Sequence, residues 1–311
     1  MVEALLILDG AAERPVVEPT SLERAHTPAL DALCAQGSVR SLTTIPPGLE
    51  PGSETGIPTL LGFPLDGQPS RGLIEAAAAA INVPPGMSAW RCDLYLGGAR
   101  HRPRQPAYTG CALEASAPGF RAFHLRGHRF LLVGSGRPRP HLPGLELCVW
   151  GDGAPLGPTL DRSTVVICGP GAAAGIARLL GARARIPAGA TGERRTDLAA
   201  KRRAALEELW RSERVVVHVA APDEAAHEHD PEGKVRALEA IDAELVGPLA
   251  AAALRCGGRI TVAPDHATDS HTGEHLSQPV PAVVAGAGVR ASGPERLAER
   301  LLDAELPAVG T

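Results

Sequence analysis

The chain is nearly empty of lysine: Lys201 and Lys234 are its only two, and arginine supplies the other basic side chains. Codon bias in a GC-rich genome accounts for that imbalance, although arginine also suits bidentate phosphate binding. Paired cysteines are missing as well. Cys34, Cys92, Cys111, Cys148, Cys168 and Cys256 are widely spaced with no CxxC. That spacing supports neither a zinc knuckle nor a disulfide framework and leaves buried free thiols as the expectation. No stretch approaches the ~20 apolar residues of a membrane span. The apolar start Ala4 to Leu8 is too short for a signal-peptide core and runs straight into Asp9. The expectation is therefore a cytoplasmic protein with no membrane partner. A formal net charge of -4 implies no polyanion partner, so no nucleic acid. Internal repeats and low-complexity tails are also lacking, which excludes solenoid architectures.

What is there is an ordinary globular composition, long enough for one large domain or a domain carrying an inserted one. A strand over 4–8 is followed by a helix from Thr27-Pro28 to Gly37, with Thr27 as N-cap and Gly37 as a left-handed stop. A strand over 38–44 leads through IPPGLEPGSETG into a short helix from about Glu54, which sets Ser53 at a helix N-terminus. An alanine-rich helix over 72–82 precedes a change of pattern. From Met87 to about Pro158, short strand-like pieces alternate with Pro, Gly and Arg, as in a small α+β insertion. Regular βα alternation then returns: TVVIC, a helix near 171–181, a helix over 196–211, VVVHVAA, a helix over 233–255, ITVA, PVPAVVAG and a last helix near 294–303. The expected fold is α/β with a mostly parallel central sheet interrupted once: core 1–82 and 159–311, cap 83–158.

Three acids sit just past apolar runs: Asp9 after ALLIL, Asp223 after VVVHVAA and Asp265 after ITVA. Such runs read as buried parallel strands, and open α/β sheets bind ligands at their carboxyl ends, so the three acids should converge on one sheet edge. Asp223 and His227 stand at i and i+4 and share a face if the strand passes into helix. His266 follows Asp265 directly. His275 lies in the loop GEHLSQPVP and could complete a second site, with His271 and His229 as competitors; His218, inside a strand, reads as a satisfied core residue. So many carboxylates and imidazoles at one edge suit hard or borderline divalent cations, in a centre of two ions. Ser53 is the nucleophile candidate, because a serine oxygen beside a divalent cation ionises near neutral pH.

The segments LILDG, ERAHTPALDALCAQG, EPGSETGIPTLLGF, RGLIEAAAA, IPAGATGERRTDLAAKRRAALE, VHVAAPDEAAHEHDPEGKVRALEAID and APDHATDSHTGEHLSQPVPAVV together resemble the archaeal-type cofactor-independent phosphoglycerate mutases of the alkaline phosphatase superfamily. The resemblance covers about residues 1–82 and 159–290. It implies an alkaline-phosphatase-like three-layer core, two divalent ions (manganese, magnesium, zinc or cobalt), a phosphoserine intermediate and a small phosphorylated acid as substrate. Carried over by motif, Asp9, Ser53, Asp265 and His266 hold the ion that activates the nucleophile, and Asp223, His227 and His275 hold the other. Lys201 resembles the family lysine near the substrate phosphate, and Arg91 in WRCDLY resembles the arginine of the family's cap strand.

The chain departs from that pattern in the cap. Where the family carries an arginine-rich segment of the DRRAGR type, this sequence reads LGGARHRPRQPAYTGCALEASAPG, and Glu54 stands in place of an aspartate. Arg100, Arg102, Arg104 and Arg129, with Arg91, are the candidates to replace the lost clamp. A phosphatase, or an enzyme of a related phosphate or phosphonate ester, is the alternative reading, because a smaller cap excludes water less well. A non-catalytic metal or phosphate-binding protein is the third.

Overall fold

The computed structural model describes residues 2–15 and 19–301. The chain forms two compact units, Met1–Leu65 with Pro158–Thr311, and Asp66–Gly157.

The larger unit is built on a seven-stranded sheet. Its first strand, Glu3–Leu8, is the centre, with Arg214–Val219 on one side and Arg259–Ala263 on the other, both parallel to it. Thr164–Ile167 and Arg183–Arg185 extend one edge in parallel, and Val280–Gly286 and Ser38–Leu42 extend the other, each antiparallel to its inner neighbour. The inner strands are buried along nearly their whole length, as uninterrupted Val, Leu and Ile runs require. Their parallel pairing brings the residues that follow Leu8, Val219 and Ala263 to one edge.

Local details depart from the sequence reading. Gly37 ends its helix, Pro28–Gln36, at φ -107 rather than in the left-handed region. A Cβ there would lie 2.6 Å from the Val284 carbonyl oxygen, so the glycine serves close packing on the strand next to the edge. Thr27 makes no side-chain cap bond. Asp242 accepts from Ala29 N at 3.1 Å and Leu30 N at 2.7 Å instead. It does so from a π-helical turn, Asp242–Val246, that interrupts the expected long helix between Pro231–Ile241 and Gly247–Arg255. The helix expected near 294–303 appears as a 3-10 turn, Glu299–Leu301, with 302 and 303 outside the described residues.

The smaller unit carries an antiparallel sheet in the order Ala99–Arg100, Ser88–Leu96, Arg129–Gly134, Phe120–Arg126, with Glu146–Trp150 also paired to Ser88–Leu96. Its core is Trp90, Cys92, Leu94, Leu113, Phe130 and Leu132. The helix Arg71–Ala78 belongs to this unit, because Gly72 N donates to Gly151 O at 2.9 Å and Ala76 packs with Ala89, Leu131 and Val133. The break therefore falls after Leu65, where the sequence reading set it after 82. The helix Pro106–Ser116 was not foreseen.

Two buried polar groups fasten the loops around the sheet edge. Lys234 Nζ, wholly buried, donates to Thr268 O at 2.7 Å and lies 3.1 Å from Glu13 Oε1. Glu299 accepts from Glu13 N at 2.8 Å and from the Thr20 hydroxyl at 2.6 Å. Burial pushes the Glu299 carboxyl up to about 7. The folded state thus holds a proton that the unfolded chain releases near pH 4.5, and this group costs stability progressively as pH rises from 4.5 to 7. Glu299→Gln should remove that slope, since the Thr20 hydroxyl can turn to accept from the new amide. Urea unfolding should find the variant more stable at pH 8, by up to about 3 kcal/mol, and level with the wild type near pH 4. An equal difference at both pH values would contradict this account.

Candidate metal centre

Asp9 leaves the central strand with its backbone N-H on Val219 O at 3.1 Å, which fixes its carboxylate beside the neighbouring strand ends. Asp9 Oδ2 lies 3.1 Å from His218 Nε2, and Oδ1 lies 3.2 Å from His266 Nε2. Asp265 follows the Arg259–Ala263 strand, and its Oδ1 accepts from Gly10 N and His266 N, each at 3.1 Å. Gly10 takes φ +58, and a Cβ there would meet Asp223 Oδ1 at 2.4 Å, so no larger residue fits between these carboxylates.

Ser53 opens the helix Ser53–Leu60. Gly56, one turn on, packs so closely that a Cβ would lie 2.0 Å from the Asp265 carbonyl oxygen. That approach sets the start of the helix on the Asp265 loop. Ser53 Oγ donates to Asp9 Oδ1 at 3.1 Å and lies 3.5 Å from His266 Nε2.

Asp223 and His227 sit on the helix Ala221–His227, with Asp223 Oδ2 3.3 Å from His227 Nε2. His275 Nε2 lies 3.5 Å from Asp223 Oδ1 and 3.0 Å from His227 Nε2. Thr268 joins the two halves: its hydroxyl donates to Asp223 Oδ1 at 2.7 Å and lies 3.1 Å from His266 Nδ1. The competing histidines are elsewhere engaged, His229 Nδ1 lying 2.9 Å from the His271 carbonyl oxygen.

Three buried carboxylates this close cannot all stay charged without compensation. Burial and repulsion from Asp9 push the Asp265 carboxyl up to about 6. Burial opposes a charge on His266, but Asp265, Asp9 and Asp223 outweigh it and push the imidazole up to about 10. Burial and the Asp223 charge oppose ionisation of Asp9, yet His218 and His266 hold its carboxyl well below the usual range. Protons on imidazoles thus stand in for missing positive charge. The residues fit divalent cations: among the described residues Asp265 Oδ2 is buried with no hydrogen-bond partner, and the buried His218 Nε2 has only Asp9 beside it. Three donor triads lie within 4.8 Å internally: Asp223, His227, His275; Asp9, Asp223, His266; and Asp9, His218, Asp265.

The other expected residues lie around this cluster or in the smaller unit. Lys201 is fully buried on the helix Leu198–Glu208, and its ammonium donates to the His218 carbonyl oxygen at 2.7 Å. Burial pushes it down to about 8, while Cys168 and Asp9 oppose that change. In the smaller unit Arg91 is buried against Asp93 Oδ1 at 2.8 Å and Glu75 Oε1 at 3.1 Å, over the Trp150 ring at 5.0 Å. Burial, with Arg91 and Arg126 nearby, pushes Arg129 down to about 10, and its Nε is buried without a partner. Arg100, Arg102 and Arg104 are exposed. Sequence reasoning missed the positions of His218 and Thr268. The one available signal for His218 was a polar residue inside an otherwise apolar strand.

This fold and donor set define a metalloenzyme of the α/β class. The chain belongs to the metalloenzyme superfamily, whose model matches residues 1–307. Among curated proteins it is 28% identical to the 2,3-bisphosphoglycerate-independent phosphoglycerate mutase of Methanopyrus kandleri, over 92% of this chain and 88% of that one. It is 29% identical to the enzyme of the same name from Methanothrix thermoacetophila, over 92% and 91%. Among solved structures it resembles a Pyrococcus horikoshii protein, with a TM-score of 0.82 at 23% identity over 97% of this chain and 91% of that one. It also resembles the cofactor-independent phosphoglycerate mutase of Thermoplasma acidophilum, with a TM-score of 0.63 at 19% identity over 98% and 95%. Among the described residues no helix is long and apolar enough to cross a membrane.

A ligating imidazole must be unprotonated, so a cation bound through His266 at pH 7 would expel the proton that its imidazole holds up to about pH 10. Titration calorimetry with manganese at pH 7 should therefore give enthalpies that differ between buffers of different ionisation heat. Apparent affinity should rise by roughly tenfold per pH unit for each proton released. Buffer-independent enthalpies would show that His266 is neutral in the metal-free protein.

Proposed function

We propose that the chain is a phosphoglycerate mutase-type phosphotransferase that interconverts 3-phosphoglycerate and 2-phosphoglycerate through a phosphoserine on Ser53. The observation that carries this reading is the position of Ser53 Oγ. It stands at a helix N-terminus, within 3.1 Å of Asp9 Oδ1 and 3.5 Å of His266 Nε2, beside a buried Asp265 Oδ2 that accepts no hydrogen bond among the described residues. In this reading two divalent ions, manganese, magnesium, zinc or cobalt, are held by Asp9, Ser53, Asp265 and His266 on one side and by Asp223, His227 and His275 on the other. Such ions favour the ionised serine and offset the charge of the transferring group. Ser53 Oγ attacks phosphorus, the substrate alkoxide leaves and takes up a proton, and the other hydroxyl then displaces the serine in the reverse sense. Lys201 keeps the strand end beneath Asp9 in place and adds positive charge near the phosphate. Arg91, Arg129 and the exposed Arg100, Arg102 and Arg104 are the candidates to hold the substrate carboxylate. The six free cysteines suit a reducing, cytoplasmic setting.

Ser53→Ala should lower turnover by about a thousandfold or more while leaving the fold intact. Brief exposure of the wild type to radiolabelled phosphoglycerate should place phosphate on the peptide containing Ser53. Label elsewhere removes the phosphoserine route.

A phosphatase is the second reading, favoured by the exposed Arg100–Arg104 loop where a tighter clamp is expected. Phosphorus NMR on 3-phosphoglycerate separates the two. Formation of 2-phosphoglycerate with little free phosphate supports the mutase; free phosphate as the main product supports the phosphatase.

A further inference from the structure

We propose that His218 is a ligand of the Ser53-side cation, joining Asp9, Asp265 and His266. The proposal rests on the metal-centre reading above and adds a residue to it.

His218 lies on Arg214–Val219 between Val217 and Val219, and it is buried. A buried imidazole nitrogen needs a partner to offset its lost hydration. His218 Nε2 lies 3.1 Å from Asp9 Oδ2 and has no other partner among the described residues. Asp265 Oδ2, wholly buried, accepts no hydrogen bond among the described residues. His218 Nε2 and Asp265 Oδ2 belong to one donor group with Asp9, and all three groups come from adjacent strands. In the sheet register Ile7 is level with both His218 and Ala263. Asp9 and Asp265 therefore stand two residues beyond that level, while His218 meets them from within the sheet. Donor atoms about 2.1 Å from a common ion are spaced roughly 3.0 Å apart in an octahedron and 3.4 Å in a tetrahedron. The 3.1 Å separation falls in that interval.

The consequence is chemical. With His218 included, the Ser53 side offers two imidazoles and two carboxylates, a donor set that favours manganese, cobalt or zinc over magnesium. A magnesium ion, which prefers oxygen and retained water, gains little from the second nitrogen.

The test uses full-length protein stripped of metal and titrated with cobalt against a competing chelator. His218→Ala and the closer-fitting His218→Gln should each weaken one of the two bound equivalents by roughly tenfold or more. The visible absorption of that cobalt should change and the other equivalent should not. Discrimination of manganese against magnesium should shrink in both variants. Should either variant fold poorly, the double variant His227→Ala/His275→Ala leaves the Ser53 side as the occupied position. X-ray absorption of its bound cobalt should then count two imidazoles. One imidazole, or variants whose cobalt affinity and absorption stay within about twofold of wild type, would overturn the proposal and leave His218 as a group that only orients Asp9. A wild type that takes up no divalent ion overturns the metal centre itself and the ligand role of His218 with it.

Discussion

Everything at the sheet edge is organised by the cost of holding Asp9, Asp223 and Asp265 together out of water. All three are buried, and Asp265 entirely so. Bare carboxylates in such surroundings repel one another and forgo hydration worth several kcal/mol each. The neighbouring groups all answer that demand. Gly10 N, His266 N and the Thr268 hydroxyl donate to the carboxylates, and His218, His227, His266 and His275 line their remaining sides. Even so, Asp265 Oδ2 accepts no hydrogen bond among the described residues. The surplus of carboxylate charge there favours cations beside the Ser53 hydroxyl.

The scaffold makes that concentration of charge tolerable. A parallel sheet buried on both faces holds the strand ends rigidly, and the loops that leave it are cross-tied by Lys234 and Glu299. Lys234 and Lys201, the two lysines, are both fully buried and donate to backbone carbonyls beside the cluster. Arginine with its larger planar head would not fit either position as a point donor. The scarcity of lysine elsewhere thus contrasts with its placement here.

In the smaller unit, the same distinction between satisfied and unsatisfied charge separates two arginines. Arg91 is paired with Glu75 and Asp93 and lies over the Trp150 ring. Arg129 is crowded by other guanidinium groups and retains an unpaired Nε, the condition that favours an incoming anion. A mutase depends on such charges more than a phosphatase does, because it must hold its dephosphorylated intermediate while water stays out.

The apolar runs ALLIL, VVVHV and ITVA were enough to read the central strands, because burial on both faces demands them whatever the partner strands are. An acid directly after a buried run, and a carboxylate and imidazole at i and i+4, are local signals too, so Asp9, Asp223, His227 and Asp265 could be picked out one by one. The role of Gly37, the capping of Pro28–Gln36 by Asp242 and the helix Pro106–Ser116 could not be read, since each depends on packing partners distant in sequence. His218 shows the boundary most clearly. In sequence it is one polar residue in a strand; only the parallel register that sets it level with Ile7, below Asp9 and Asp265, gives its nitrogen a carboxylate 3.1 Å away. The sequence by itself determined which segments are buried and which acids end them, because hydrophobic burial and periodicity are local properties. Which histidines share those acids, and which charges go unpaired, only the tertiary structure decided, because those depend on distances across strands that lie far apart along the chain.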